Sequence, residues 1–232
     1  GVNTTYQRSG NGSVELVTTF GPGGNSSKAD IEYLSGGTIF GGNYVATTSM
    51  GLFSNLVSMQ YDWYRNAASI ASPGQQPSLR VLLDKDGNLA TTNDRGGLVF
   101  DVAYNGGGAV PTDSWTTSVV GSGTYLWNFG LGLGTGFNIN GTAYAYDATL
   151  QEWQNYLDDA VIIGFSSGVG SGWGAFSGAV DNIGWVIGTA SSTYNFEVDN
   201  GPVATPEPAS MFLLGAGAAS MAFLRRRNAN RA

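Results

Sequence analysis

The chain has 232 residues, 36 of them Gly and only 12% charged, with ten basic against seventeen acidic side chains and neither Cys nor His. That composition excludes cysteine nucleophiles, Cys/His zinc sites and a Ser-His-Asp relay, and an acidic body without a basic stripe argues against nucleic acid as a partner because it cannot neutralise phosphate. The length is enough for one large domain whose core needs no disulfide.

The opening "GVNTTYQRSGNGSVELVTTF" has neither Met nor a charged then apolar leader. Either a signal peptide has been removed or the sequence begins after it. Strand-sized runs follow: "SVELVTTF", then "KADIEYL", then "LVSMQYDWY", whose alternation puts Val57, Met59, Tyr61 and Trp63 on one face. Leu79, Val81 and Leu83 share a face in "SLRVLLD", and Leu98, Phe100, Val102 and Tyr104 do so in "LVFDVAY".

Between those two runs lies "DKDGN", where Asp84, Asp86 and Asn88 fit the first ligands of an oxygen cage for Ca2+. An EF-hand needs Gly at the sixth place and Glu at the twelfth; Leu89 and Arg95 stand there, so that loop type fails. The segment reads either as an Asp86-Gly87 turn or as a calcium site of another kind. Further on, Trp115, Tyr125 and Trp127 form an aromatic group that could stack on a sugar ring or fold onto the core.

One segment departs from strand alternation. In "TLQEWQNYLDD", Thr149 and Glu152 have capping-box spacing and Leu150, Trp153 and Leu157 recur at helical intervals, which predicts one short helix from about Leu150 to Asp158. Its Glu152, Asp158 and Asp159 read as capping and solvated charge rather than as a glycosidase carboxylate pair, and no catalytic residues are expected.

The strands "AVIIGF", "FSGAVDNIGWVI" and "YNFEV" complete the body. Trp173 sits among glycines in "GVGSGWGAFSG", free to stack on a sugar or to fold back as a core cap. Strict alternation puts Asp181 on the face of Ala179, Ile183 and Trp185, where a buried carboxylate needs a hydrogen-bond partner or a cation such as structural Ca2+. The expected fold is all-β: an antiparallel two-sheet jelly-roll sandwich with one short helix over residues 1–200, a linker over 201–208, and a single C-terminal hydrophobic helix with a basic tail over 209–232.

That tail is unlike the rest. Pro206, Glu207 and Pro208 precede sixteen uncharged residues, Ala209–Leu224, and Arg225, Arg226 and Arg227 follow. Sixteen helical residues span about 24 Å, short of the ~30 Å hydrocarbon core, so the helix is a marginal membrane anchor. The arginines keep its end in the cytoplasm and the body outside. The prolines bias the segment before it toward an extended, accessible peptide.

"TPEPASMFLLGAGAASMAFLRRR" resembles the PEP-CTERM sorting signal, with its Pro-Glu-Pro motif, short hydrophobic helix and arginine cluster in order. The resemblance implies processing by exosortase, a membrane-embedded enzyme of exopolysaccharide-producing Gram-negative bacteria, after transient anchoring at the inner membrane, and release to the cell surface. The pieces "SLRVLLDKDG", "GGLVFDVAYN", "VPTDSWTT", "VIIGF" and "GVGSGWGAFSGAVDNIGW" resemble a jelly-roll, lectin-like module of other PEP-CTERM and secreted bacterial proteins. Together these imply a non-enzymatic structural or adhesive protein of the exopolysaccharide or biofilm layer, or alternatively a lectin for a defined glycan.

Overall fold

Alternating apolar residues can bury one face of a strand only against a second apolar layer, and this chain meets that demand with two antiparallel sheets sharing one core. The computed structural model describes residues 1–19, 27–40, 43–134, 136–170 and 174–198. Gly1–Val198 group into one compact unit. The linker, the hydrophobic segment Ala209–Leu224, the arginines and Trp173 lie outside the described residues. Among the described residues no helix is long and apolar enough to cross a membrane.

The first sheet runs β1 (Val2–Asn3), β2 (Ser13–Thr18), β14 (Phe176–Ile187), β7 (Leu56–Arg65) and β10 (Trp115–Val120), with β15 (Ala190–Tyr194) also paired to β14. The second runs β12 (Ala148–Thr149), β11 (Tyr125–Gly130), β9 (Arg95–Phe100), β8 (Ser78–Asp84), β13 (Val161–Val169) and β3 (Ala29–Leu34), with β6 (Gly51–Leu52) paired to β13. A separate hairpin joins β4 (Thr38–Phe40) to β5 (Asn43–Val45).

Leu16, Met59, Tyr61, Trp63 and Val180 from the first sheet meet Leu79, Val81, Leu83, Leu98 and Phe165 from the second. The two most deeply buried indoles satisfy their donors: Trp63 Nε1 donates to Ser118 Oγ at 2.9 Å and Trp153 Nε1 to the Leu126 carbonyl at 3.1 Å. Helix α1 (Leu150–Tyr156) forms where the capping box predicts it. Glu152 N–H donates to Thr149 Oγ1, and Glu152 Oε2 accepts from Thr149 N–H at 2.7 Å. Leu150 and Trp153 face the core, and Gln154 Nε2 donates to the Phe53 and Leu56 carbonyls, pinning the helix to the start of β7.

Among the described residues strict alternation fails in several places, including a bulge on β13 that puts Ile162 and Phe165 in the main core and Ile163 on the other side. Register slips on β7 between Val186/Ser58 and Ile187/Leu56, so Val57 bulges out at 56% exposure and Leu56 takes the core position. "LVFDVAY" is a strand only to Phe100; Asp101 then accepts from Ala103 N–H and caps a 3-10 turn, Val102–Tyr104, which turns Tyr104 outward. "YNFEV" contributes only Tyr194 to a strand. On β14 a bulge carries Asn182 at φ 50°, and parity reverses there. Val180 and Ile183 therefore both reach the core, while Asp181 points to the outer face of the first sheet and not inward.

Candidate functional site

The outer face of the second sheet holds a groove of about 740 Å3. Its floor follows from register. Glu32, Ser166, Arg80, Val99 and Trp127 stand side by side across five strands, and Leu34, Gly164, Leu82, Gly97 and Phe129 form the neighbouring row. That second row is covered rather than open: Leu34 and Leu82 pack with Ala46 and Ile163 into a second, smaller apolar cluster, and the Phe129 ring lies over Gly97. Gly168 lies opposite Asp30; a Cβ there would collide with the Asp30 carboxylate, which crosses it to reach Arg80.

Loops raise the walls. Tyr44 of β5 stands on one side at 6.4 Å from Phe129, ring centre to ring centre. On the other side the 3-10 turn supplies Tyr104, and the loop before β12 supplies Tyr144 and Tyr146. Tyr104 and Tyr146 stack at 4.3 Å and 13°, and Tyr144 meets Tyr104 edge-on at 5.9 Å. Trp127 (37% exposed), Tyr104 (45%) and Tyr144 (49%) keep ring surface open to the groove.

The polar groups are few and fixed. Arg80 Nη1 donates to Asp30 Oδ1 at 2.6 Å, and Lys28 Nζ lies 2.7 Å from Asp30 Oδ2. Asp101, at the groove's edge, is buried, and burial pushes its carboxyl up to about 6. Burial together with the Glu32 carboxylate pushes the Tyr44 phenol up to about 12, so it stays a neutral donor. Open aromatic faces with a few positioned polar groups suit a ligand that is apolar on its ring faces and hydroxylated at its edges.

The aromatic residues singled out in the sequence separate. Trp127 lines the groove, and Tyr125, two residues earlier, is exposed on the same face of β11. Trp115 is on the other sheet: it packs 5.7 Å from Tyr64 and its Nε1 donates to the Gln7 carbonyl at 3.0 Å. The expected Trp115–Tyr125–Trp127 cluster does not form, because β10 and β11 belong to different sheets. Tyr44, Phe129, Tyr144, Tyr146, Arg80 and Asp101 carry no site signal in the sequence beyond the tyrosines of "TAYAYD", and Tyr104, expected on a strand face, lines the groove instead.

Asp181 is fully buried and accepts three backbone N–H bonds, from Ser9 at 3.2 Å, Asn182 at 2.8 Å and Phe196 at 3.0 Å. Asp84 and Asp86 meet at the end of the second sheet, and Asp94 joins them: a carboxylate oxygen of each lies within 4.8 Å of the other two. Asn88, the third expected ligand, has its Oδ1 engaged by Ala90 N–H at 3.2 Å. Burial pushes the Asp84 carboxyl up; Arg95 opposes this, and the Asp94 and Asp86 charges reinforce it.

Residues 204–227 match the PEP-CTERM protein-sorting motif. The matched stretch holds Pro206, Glu207, Pro208 and Arg225, Arg226 and Arg227, and it supports an exported protein that is a substrate of exosortase. No curated protein and no solved structure matches the chain.

Proposed function

We propose that this chain is a non-enzymatic, carbohydrate-binding protein of the cell surface, exported through the sorting motif and adhering to extracellular polysaccharide by the groove on its second sheet. The groove carries this reading, with Tyr44, Tyr104, Trp127 and Tyr144 around Arg80 and Asp101. Aromatic faces stack on the C–H faces of pyranose rings, while the guanidinium, carboxylate and phenols bond ring hydroxyls. The groove's openness suits an internal stretch of a chain.

Strand order supports a jelly roll. β2-β14-β7-β10 in one sheet and β3-β13-β8-β9 in the other place the first long strand beside the last, and lectin domains use that architecture. In the proposed route the hydrophobic segment Ala209–Leu224 holds the protein at the inner membrane, with Arg225, Arg226 and Arg227 cytoplasmic. Exosortase then acts near Pro206, Glu207 and Pro208, and the body enters the exopolysaccharide or biofilm layer. A glycan array that includes the exopolysaccharide of the source organism tests the binding: selective retention supports it, and no retention on any glycan refutes it.

A second reading, hydrolysis of the bound polysaccharide, draws on Asp101, because a buried carboxyl near 6 is in the range of a general acid. It requires release of reducing ends by the purified protein, abolished in Asp101→Asn.

A further inference from the structure

We infer that Asp84, Asp86 and Asp94 bind one Ca2+ at the turn between β8 and β9. Asp84 has no exposed surface, and it gives only one oxygen a protein partner: Oδ2 accepts from Arg95 Nε at 2.8 Å while Oδ1 has none. Asp94 Oδ1 is likewise buried without a partner. A carboxylate oxygen denied both water and a donor is costly to bury unless a cation completes its surroundings.

Three carboxylates and the one guanidinium of Arg95 leave a charge of −2 at the cluster, the complement of a divalent ion. The donors are all hard oxygens, and the chain has no Cys or His, which favours Ca2+ over zinc or copper. The cross-strand pair Asp84↔Arg95 brings the two ends of the turn together, so Asp94 arrives beside Asp84 despite ten positions of separation. Arg95 also donates through Nη1 to the Tyr44 carbonyl at 2.6 Å and through Nη2 to the Leu89 carbonyl at 2.9 Å. A cation here ties the turn to a strand that walls the groove.

The test is calorimetric titration of the purified full chain, freed of metal, with CaCl2, beside thermal unfolding in CaCl2, MgCl2 or chelator. Because Asp84 is buried on Arg95, the informative variants are Asp94→Asn and the more exposed Asp86→Asn. One Ca2+ per chain, a melting temperature raised by calcium, and affinity weakened tenfold or more in both variants is the expected result. No binding, or binding that neither substitution weakens, overturns the inference. So does binding that survives both variants and disappears in Asp181→Asn, since the ion would then sit on the other sheet.

Discussion

Asp181 on β14 and Asp62 on β7 are direct cross-strand partners, two carboxylates side by side on the outer face of the first sheet. Like charges so placed repel, and the surrounding donors offset this. Arg8 Nε and Asn182 Nδ2 reach Asp62 at 2.9 and 2.8 Å, Thr117 donates to its other oxygen, and Asp181 takes its three backbone N–H bonds. The pair thereby pins both the N-terminal segment and the stretch after β15 to the sheet. Asp181→Ala strands three donors and is expected to lower stability by about 2–4 kcal/mol. Urea unfolding measures this; a loss below 1 kcal/mol would mean those donors find water instead.

Helix α1 supplies a second prediction. Thr149→Ala removes the capping box and should cost about 1 kcal/mol. Trp153→Ala leaves a cavity under the helix and should cost about 3–5 kcal/mol. The ratio is read from denaturation midpoints; equal losses would place the helix's stability in its cap rather than its packing.

How much of this was legible in the sequence depends on how local each signal is. The helix was, because its cap and apolar stripe lie within nine residues. Leu79, Val81 and Leu83 were, because β8 follows strict alternation through them. Asp181 was misplaced because one bulge at Asn182 reverses parity, and nothing in "AVDNIGW" marks a bulge except the Asn that adopts its positive φ. The groove was legible only in Trp127. Its walls come from strands and loops far apart in sequence, and only pairing of β9 with β11 and folding of two loops bring Tyr44, Tyr104 and Tyr144 around it.

Asp101 gives a pH prediction. Its folded value of about 6 lies above the ordinary 3.8, so the folded state holds a proton that the unfolded state has released. Its contribution is therefore favourable below pH ~4, is lost as pH rises through about 4 to 6, and is flat above, amounting to roughly 2–3 kcal/mol at most. Asp101→Asn keeps an acceptor for Ala103 N–H without the buried charge. The variant should be about 1–2 kcal/mol more stable than wild type at pH 7 and equal to it near pH 4, by urea unfolding at both. A variant less stable at pH 7 would show that the charge itself holds the 3-10 turn.

A polysaccharide site on the second sheet is tested by affinity electrophoresis of the full chain through gels containing the source organism's exopolysaccharide, comparing wild type with Trp127→Ala, Tyr144→Ala and Trp115→Ala. Trp127 and Tyr144 show open ring surface to the groove, and Trp115 lies on the opposite sheet against Tyr64. Wild type and Trp115→Ala are expected to be retarded alike, while Trp127→Ala and Tyr144→Ala migrate about tenfold less retarded with melting temperatures near that of wild type. Retardation undiminished in both groove variants, or lost only in Trp115→Ala, would contradict a polysaccharide site on the second sheet.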